Sequence, residues 1–457
     1  MKRAALFLLA LLLAGKGAEP AGSTIPVGAP VAEAPVVVRL GLEDAVSRAR
    51  AASPRLARLQ ALEAAAEAQR RGAFAERWPQ VDLGAGYQRR SEVPELTIFA
   101  PTADPARPVE SITVFPNIQD NWRLRAGLAL PLYTGGRLSS QIEAASLSRE
   151  AARRDLEGAR SDLVLETKAA YWGLVTARAS ERVLQETIKA FEAHLTDARN
   201  REKFGMAARN EVLAVEVERD RAELDLLRAT AGADVAEANM RRLLDLPPAT
   251  RVEPAEPLEA APADRADVET LVAEAAAARA DRAAIAARAS AAEALVGIER
   301  GARLPQVALS AGYTYANPNR DIVPPTADWK DTWDVGVGLT WSVFDGGRRS
   351  AAEARSRAQA DAAREQLREV DRAIRLEVTQ RALELGTAGR RVAVAARGLE
   401  AARESRKVAQ DRYREGVIPS SELLDAEMAL ERAELSRTEA LAALRLAAAL
   451  LDRAVGR

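Results

Sequence analysis

Two stretches of the chain, WPQVDLGAGY at residues 78–87 and LPQVALSAGY at residues 304–313, are near copies of each other, 226 positions apart. A second pair, PLYTGGR at 131–137 and SVFDGGR at 342–348, recurs after 211 positions. Repeats on this scale show that a chain is built from copies of one unit. The sequence is therefore an internal duplication, and its halves differ mainly by 15 extra residues between Tyr87 and Trp122.

Four segments in matching positions of the two halves alternate between apolar residues and polar or small ones. They are expected to be strands at residues 79–90, 121–133, 305–315 and 332–344. A period of two over about ten residues, with aromatics near the ends, is typical of strands in outer-membrane barrels. A soluble sheet with one buried face is the alternative, and four such segments in repeat positions disfavour it.

The number of strands indicates that the chain does not act alone. Closed barrels begin at about eight strands, and an open sheet edge is not tolerated in lipid. Four strands must therefore share a barrel with copies of the same chain. The loop from Gln88 to Asp120 is long, Pro-rich and polar, whereas the loop from Ala316 to Lys330 is shorter. Long loops on one side of a barrel face the exterior.

Most of the remaining sequence predicts very long helices. Leu138 to Lys203 and Arg349 to Arg414 are 66 residues each without proline, which corresponds to roughly 100 Å of helix. Apolar residues recur at heptad spacing, as in a coiled coil; they include Leu156, Leu163, Ala170, Ala177, Leu184 and Phe191. Gly205 and Gly416 then interrupt the pattern, and new helices are expected from about Ala208 to Leu246 and from Pro419 to Val455. Each half thus predicts a helical hairpin with a tight tip.

A shorter helical pattern precedes the first strand of each half, at Leu42 to Arg77 and at Val268 to Arg303. A short helix arriving at the membrane and a short helix returning from the tip can stack end to end, and the result is a tube wall. Pro54 is expected to bend or break the first short helix. The predicted division is repeat 1 at 41–246, a Pro- and Ala-rich linker at 247–267, and repeat 2 at 268–457.

The N-terminus has the layout of a secretory signal peptide, expected at residues 1–17. A short cationic start precedes an apolar run from Ala4 to Ala14, which is too short to span a bilayer. An apolar helix of the mature protein is the alternative. Residues 18–40 are expected to be a periplasmic extension, in which Val36 to Val38 could add a short strand.

The composition excludes several classes of function. Balanced charge, with 65 Lys and Arg against 66 Asp and Glu, argues against a partner nucleic acid. With no cysteine, thiol catalysis is excluded. A single histidine, His194, disfavours a multi-histidine metal site, and it is expected on the surface of a long helix. No paired acid and base suggests an enzyme, and no cofactor or metal is expected.

Four motifs carry a resemblance to a known family: LPQV at 304–307, FDGGR at 344–348, YREGV at 413–417 and ELLD at 422–425. At these motifs the sequence resembles the outer membrane efflux protein family of TolC-like channels. The resemblance extends from GLEDAV at 41–46 to the C-terminus. It implies a mainly α fold with a membrane β-barrel: a homotrimer with a shared 12-stranded barrel and a 12-helix periplasmic α-helical tunnel. It also implies an equatorial domain around the tunnel's middle. Family members with an acylated N-terminal cysteine are common, and this chain is expected to be non-lipidated.

The resemblance also implies roles for residues at the hairpin tips. Gly205, Met206, Gly416, Val417 and Ile418 are expected to expose apolar groups to a periplasmic adaptor; a plain helix-breaking turn is the alternative.

The candidate gate at the tunnel entrance consists of Glu422, Asp425, Tyr413, Asn210 and Glu211. Three copies of Glu422 and Asp425, which share a helix face, would form two rings of negative charge that favour cations. The bland alternative is helix capping, with Ser420 or Ser421 as the cap and Glu422 and Glu211 as acids of a first turn. Well-studied members of the family have an arginine where this chain has Ile418, so their salt-bridge lock needs a substitute here, for which Arg209 and Arg414 are guesses.

The glycine pairs at the strand-to-helix junctions, Gly135 with Gly136 and Gly346 with Gly347, are expected to be turns. They lack the spacing of a phosphate-binding loop.

The function expected from the sequence is an outer-membrane exit duct with no chemistry of its own. By resemblance its partners are a periplasmic adaptor (membrane fusion protein) and an inner-membrane pump of the RND or ABC type, in drug or metal efflux or in type I protein secretion. Few Met and one His weakly disfavour a dedicated copper or silver conduit. A periplasmic coiled-coil scaffold or adaptor without a barrel is the alternative from another class.

Overall fold

The computed structural model of the chain describes residues 37–101, 109–260 and 267–457. The expected signal peptide and most of the expected 18–40 extension lie outside the described residues. The helices are α1 Leu42–Ala52, α2 Pro54–Ala75, α3 Arg137–Lys203, α4 Arg209–Leu244, α5 Val268–Ala278, α6 Ala280–Gly301, α7 Arg348–Arg414 and α8 Ser420–Val455. The strands are β1 Val37–Leu40, β2 Gln80–Arg89, β3 Leu96–Pro101, β4 Val109–Phe115, β5 Asp120–Tyr133, β6 Arg251–Pro254, β7 Gln306–Asn317 and β8 Lys330–Thr340.

The four alternating segments form one antiparallel sheet in the order β2-β5-β7-β8. Its strands follow the expected spans except at one end: β8 stops at Thr340, four residues before the expected end. Trp341 leaves the ladder there and donates its indole N–H to the carbonyl of Arg303, 3.1 Å away. All four strands therefore come from the period-two segments of the two repeats.

The two faces of the sheet have opposite chemical character. The large apolar side chains all project from one face and are exposed in the chain; they include Val81, Leu83, Tyr87, Trp122, Leu124, Tyr313, Trp333, Val335, Val337 and Leu339. The ladder places polar residues and glycines side by side on the other face. A sheet with one apolar exposed face requires an apolar surrounding to cover it.

The long loop between the first two strands of the sheet contains a second hairpin that the sequence reasoning missed. Strands β3 and β4 pair in an antiparallel ladder, with Ile98 opposite Ile112 and Phe99 opposite Ser111. The expectation of a loop over the whole of 88–120 is therefore wrong. Short alternation in LTIF and ITVF was the signal, and it was masked by the surrounding prolines.

A small parallel pair, β1 with β6, ties the start of repeat 1 to the linker between the repeats. Strand β1 agrees with the short strand expected near Val36 to Val38. Its partner β6 lies in the linker, for which no strand was expected. Val252 of β6 is buried against α3 and α4 in a core with Tyr171, whose hydroxyl donates to the carbonyl of Leu40.

The helices form a curved wall. Helix α3 packs against α2 and α4 on one side and against α6 and α8 on the other, and α6 and α8 pack in turn on α7. Because α1 contacts α4 and α5 contacts α8, the shorter helices continue one another along the wall as expected. Each long helix has 67 residues, which makes the wall roughly 100 Å tall.

Both short helical arms are broken at corresponding places. In repeat 1 the break lies at Ser53, whose hydroxyl accepts from the N–H of Leu56 just after Pro54 begins α2. In repeat 2 the break lies at Arg279, although no proline is nearby. The expectation of one continuous helix from Val268 to Arg303 is therefore wrong.

Within the described parts of the chain, none of the helices has both the length and the apolar character needed to cross a membrane.

Candidate functional site

The free ends of the two helical hairpins lie at the end of the wall opposite the sheet. Each tip turns on a glycine in the left-handed region, with φ of 70° at Gly205 and 76° at Gly416, which side chains with a Cβ rarely adopt. The N–H of Met206 donates to the carbonyl of Arg201 at 2.8 Å, and that of Val417 donates to Arg412 at 2.9 Å. These bonds close the ends of α3 and α7 in the same way.

Not all of the apolar residues expected at the tips are exposed. Met206 is 69% exposed and Val417 is 60% exposed, but Ile418 is only 7% exposed. Ile418 packs against Tyr413 and Leu423 within its own hairpin. The expectation that Ile418 presents a docking surface is therefore wrong for this chain, because its side chain forms part of the tip's core.

The carboxylates of the first turns of α8 share an exposed face. Glu422 and Asp425 are exposed, whereas Leu423, Leu424 and Ala426 are buried. The alternative in which Ser420 or Ser421 caps this helix does not hold, because the N-cap is Pro419 and has no side-chain hydrogen bond, although Glu422 does lie in the first turn as that alternative has it. Both carboxylates are exposed in the chain, and both line a groove between α7 and α8.

The structure brings one of the other gate candidates, Asn210, next to Asp425. Asn210 and Asp425 line one groove between α4 and α8, with a volume of about 430 Å³. Glu211, by contrast, turns back on its own helix, and its Oε1 accepts from the N–H of Ala208 at 3.4 Å. Glu211 thus has the helix-capping role that was the alternative to a role in the gate.

Tyr413 is buried near the tip and is covered by an arginine from the other hairpin. The guanidinium of Arg201 lies 4.2 Å from the centre of the Tyr413 ring, and it also pairs with Asp197 at 3.0 Å. Burial raises the pKa of the Tyr413 phenol. The guessed substitutes make other pairs: Arg209 pairs with Glu202 and Arg414 with Asp411. Arg201 is the arginine that links α3 to Tyr413 of α7.

The single histidine belongs to the same region and was misplaced by the sequence reasoning. His194 is 5% exposed, so its expected surface position is wrong. Its Nε2 shares a hydrogen bond of 3.1 Å with Oγ of Ser420, and its Nδ1 lies 3.5 Å from Oε2 of Glu427. The ring also meets the Tyr413 ring edge to face, with centres 5.2 Å apart. This cluster joins α3 to both helices of the second hairpin.

The signal for His194 was present in the heptads. His194 lies three residues after Phe191, which is buried with Leu195 and Leu424 of α8 in one apolar cluster, and residues three apart lie on the same side of a helix. Nδ1 of His194 and Oε2 of Glu427 have no other hydrogen-bond partner among the described residues. A polar contact of this kind inside an apolar seam favours one specific alignment of the hairpins.

The glycines at the strand-to-helix junctions are turns in the left-handed region. The φ angles are 62° and 85° at Gly135 and Gly136, and 68° and 88° at Gly346 and Gly347. At Gly135 a Cβ would lie 2.6 Å from the carbonyl oxygen of Gly301. The first junction therefore also needs glycine for the close approach of α6.

Residues 37–101, 109–260 and 267–457 contain no group of three or more His, Cys, Asp and Glu side chains placed to hold a metal ion.

Comparison with known proteins places this geometry in a known context. Residues 45–245 and 271–457 match the outer membrane efflux protein family. Protein CyaE of Bordetella pertussis is 34% identical over 163 residues, which is 36% of this chain and 34% of that protein. The match thus spans about a third of the length of this curated relative.

Solved structures share the fold over almost the whole chain. The outer membrane protein VceC of Vibrio cholerae superimposes with a TM-score of 0.76 at 20% identity, covering 91% of this chain and 96% of that one. The MtrE outer membrane channel of Neisseria gonorrhoeae, in its open state, gives 0.75 at 17% identity, covering 91% and 88%. At these identities the likeness establishes the fold, which is that of channels rather than of enzymes.

Proposed function

The chain belongs to the outer membrane efflux protein family, and from that membership we propose that three copies form a passive exit channel. The channel would have a shared 12-stranded barrel in the outer membrane and a 12-helix tunnel in the periplasm. It would conduct substrates, delivered by a periplasmic adaptor and an inner-membrane pump, to the exterior. Efflux of small molecules and type I protein secretion are both compatible with such a duct.

The observation that carries this proposal is the exposed apolar face of the sheet. Leu83, at the middle of β2, is 82% exposed, and aromatic side chains such as Trp122 and Trp333 lie on the same face. Lipid is the surrounding that suits such a face, with aromatics at the interface. The opposite face carries Asp, Arg, Thr and Gly, which suits a water-filled interior.

The free edges of the sheet support the closure by copies of the chain. Strands β2 and β8 are the edges, and they run antiparallel to each other in the order of the sheet. Strand β8 of one copy can therefore pair with β2 of the next in the usual antiparallel sense. Three copies give an even-numbered closed barrel without an exposed backbone edge in lipid.

The free edges of the helical wall support the same assembly. Apolar side chains are exposed along α4 at Val217, Leu227 and Val235, and along α7 at Leu376 and Leu383. Since α4 and α7 lie at opposite edges of the wall, α7 of one copy would pack on α4 and α2 of the next. The paired strands β1 and β6, with helices α1 and α5, would form the equatorial domain.

We further propose that the hairpin tips form the gate of the tunnel. Glu422 and Asp425 of three copies would line its entrance, with Asn210 beside them. The contacts of Arg201 with Tyr413, and of His194 with Ser420 and Glu427, would fix the second hairpin against the first. This cluster would serve in place of the arginine that other family members have at the position of Ile418.

Single-channel recording in planar bilayers tests the gate. Replacing both acids, Glu422→Gln with Asp425→Asn, should lower the preference for cations and weaken block by divalent cations, because the rings of negative charge are removed. Glu439→Gln is the control, since this exposed acid lies 14 residues, about 20 Å, further along the same helix. Unchanged selectivity in the double variant would exclude these acids from the entrance.

The exposed tip residues would dock with the adaptor. Charged replacements, Met206→Glu with Val417→Glu, should weaken binding of the adaptor at least tenfold, because an apolar contact would then bury two charges. Phe99→Glu, on the exposed β3–β4 hairpin at the other end, is the control. Binding measured by surface plasmon resonance that is equal for both variants would argue for a plain turn.

A further inference from the structure

Four arginines gather at the end of the sheet that carries the loops. Arg90, Arg123, Arg125 and Arg320 line a concavity of about 320 Å³ over the polar face of the sheet. Arg320 reaches it from the loop after β7, where its Nε donates to Oδ1 of Asn121 at 2.9 Å. All of the charged side chains that line the concavity are therefore positive.

The register of the ladder explains why this space is open. Arg123 lies opposite Gly86 and Ala316 in the neighbouring strands, and Arg125 lies opposite Gly84 and Thr314. The two glycines of β2 meet nothing within 4 Å at the position of a Cβ. Small neighbours leave the guanidinium groups uncovered on the face away from the apolar side chains.

These arginines differ from most others in the chain because they have no acidic partner. Among the described residues, none of the four forms an ion pair, whereas Arg89 at the end of β2 pairs with Asp120. Burial lowers the pKa of Arg320, and the charges of Arg90 and Arg123 lower it further. An arginine remains charged at any physiological pH, so like charges are held together without compensation.

Acidic side chains occupy the next layer down the sheet. Asp82, Gly127, Gly312 and Asp334 form one row of the ladder, two residues deeper than Arg125. Asp334 lies across its glycine neighbour, where a Cβ of Gly312 would come within 2.6 Å of Oδ1. The spacing of about 7 Å keeps the two layers separate. The wall thus changes sign from positive to negative along its axis.

We propose that the four arginines form an anion-binding filter at the outer mouth of the channel. This inference rests on the proposed trimeric channel, in which three copies would form a ring of twelve guanidinium groups. The ligand class is a small multivalent anion such as phosphate, or the phosphate and carboxylate groups of a substrate, since a guanidinium binds such groups through paired hydrogen bonds. A charged ring in a pore selects ions of opposite sign.

Single-channel recording with inorganic phosphate as the probe tests the filter. All proteins carry Glu422→Gln and Asp425→Asn, so that the proposed entrance acids do not contribute, and the bilayer contains only zwitterionic lipid. Phosphate added to the side of the loops should block the current. Arg123→Gln with Arg125→Gln should weaken this block at least tenfold and shift the reversal potential toward cations. Arg89→Gln, on the apolar face, is the control and should leave both unchanged.

The possible outcomes distinguish a failure of the anion filter from a failure of the proposed channel. Channels that open but are not blocked by phosphate would contradict the anion filter. Equal block by phosphate with and without the double arginine replacement would contradict it as well. Neither result would contradict the proposed channel. Chains that form no channels would overturn the proposed function, and the filter would fall with it. Because no lipopolysaccharide is present, block in this system identifies free phosphate as the anion.

Discussion

Arg279 breaks the short helical arm of repeat 2, as Ser53 and Pro54 break that of repeat 1. It is buried, and it pairs with Asp281 and Glu377 and donates to the carbonyl of Ala454 at 3.2 Å. One side chain thereby links the break to α7 and to the end of α8. A buried arginine in this position needs all of these partners, because an unpaired buried charge is strongly unfavourable.

Removal of this side chain should destabilise the helical wall. Arg279→Ala is expected to lower the free energy of unfolding by about 2 kcal/mol per chain, a value reduced from that of a fully buried pair because both acids are partly exposed. Arg375→Ala is the control, since Arg375 also joins the arm to α7, through Glu269, but in an exposed pair worth less than about 1 kcal/mol. Thermal unfolding followed by circular dichroism measures the difference. Equal melting temperatures for the two variants would contradict the role of Arg279.

The same site makes the stability depend on pH in the acid range. Burial raises the pKa of Asp281, but the hydrogen bonds and charge of Arg279 outweigh it, so the pKa lies below its ordinary value. A lowered pKa stabilises the fold above the ordinary value, which is about 4, and this contribution is lost as the pH falls through the folded pKa. The deficit of Arg279→Ala should therefore shrink when the melts are repeated in acid.

Residues of the candidate site were predictable only where a local pattern defines them. The tip glycines and the shared face of Glu422 and Asp425 follow from spacing along one helix. The burial of Ile418 does not, because it depends on how the tip of its own hairpin packs Tyr413 and Leu423 against it. The heptads place His194 on the inner face of its helix, but its partners Ser420 and Glu427 belong to the other repeat and could not be identified. Arg201 could not be identified for the same reason, since its contact with Tyr413 joins residues more than 200 positions apart.

At the scale of elements, the strands of the sheet are defined by their alternation. The face of each strand is therefore the property to test. Leu83→Arg should reduce insertion into the outer membrane, because an arginine on a lipid-facing position near the midplane costs about 2–4 kcal/mol. Gln80→Arg is the matched control, since it adds the same charge to the polar face of the same strand.

The measurement is the fraction of each variant recovered from outer membranes as a heat-resistant oligomer on a gel. A large loss for Leu83→Arg and little loss for Gln80→Arg is expected. Equal recovery of the two variants would mean that the apolar face does not meet lipid.

Elements with strong periodicity were predictable, and those that depend on a distant partner were not. The long helices and the four sheet strands lie within a few residues of their expected bounds. Strand β6 exists because β1 pairs with it across more than 200 residues, and no local signal in the linker announces that pairing. The break at Arg279 has no proline or glycine to mark it, and it is explained by the ion pairs that the buried Arg279 makes with Asp281 and Glu377.

At the scale of the whole molecule, the sheet and the helical wall each end in two edges that could pair with those of another copy. Its sheet ends in unpaired strands β2 and β8, and its helical wall ends in apolar stripes on α4 and α7. Both sets of edges are satisfied at once if copies are arranged around one axis, because closed symmetry pairs one edge with the other in every copy. With four strands per chain, the proposed 12-stranded barrel corresponds to three copies.

The native mass of the protein, extracted from outer membranes in mild detergent and measured by mass spectrometry, tests this assembly most directly. A mass of three chains is expected, with no stable smaller species. A stable monomer recovered under the same conditions would contradict the shared barrel, and it would favour a periplasmic coiled-coil scaffold instead.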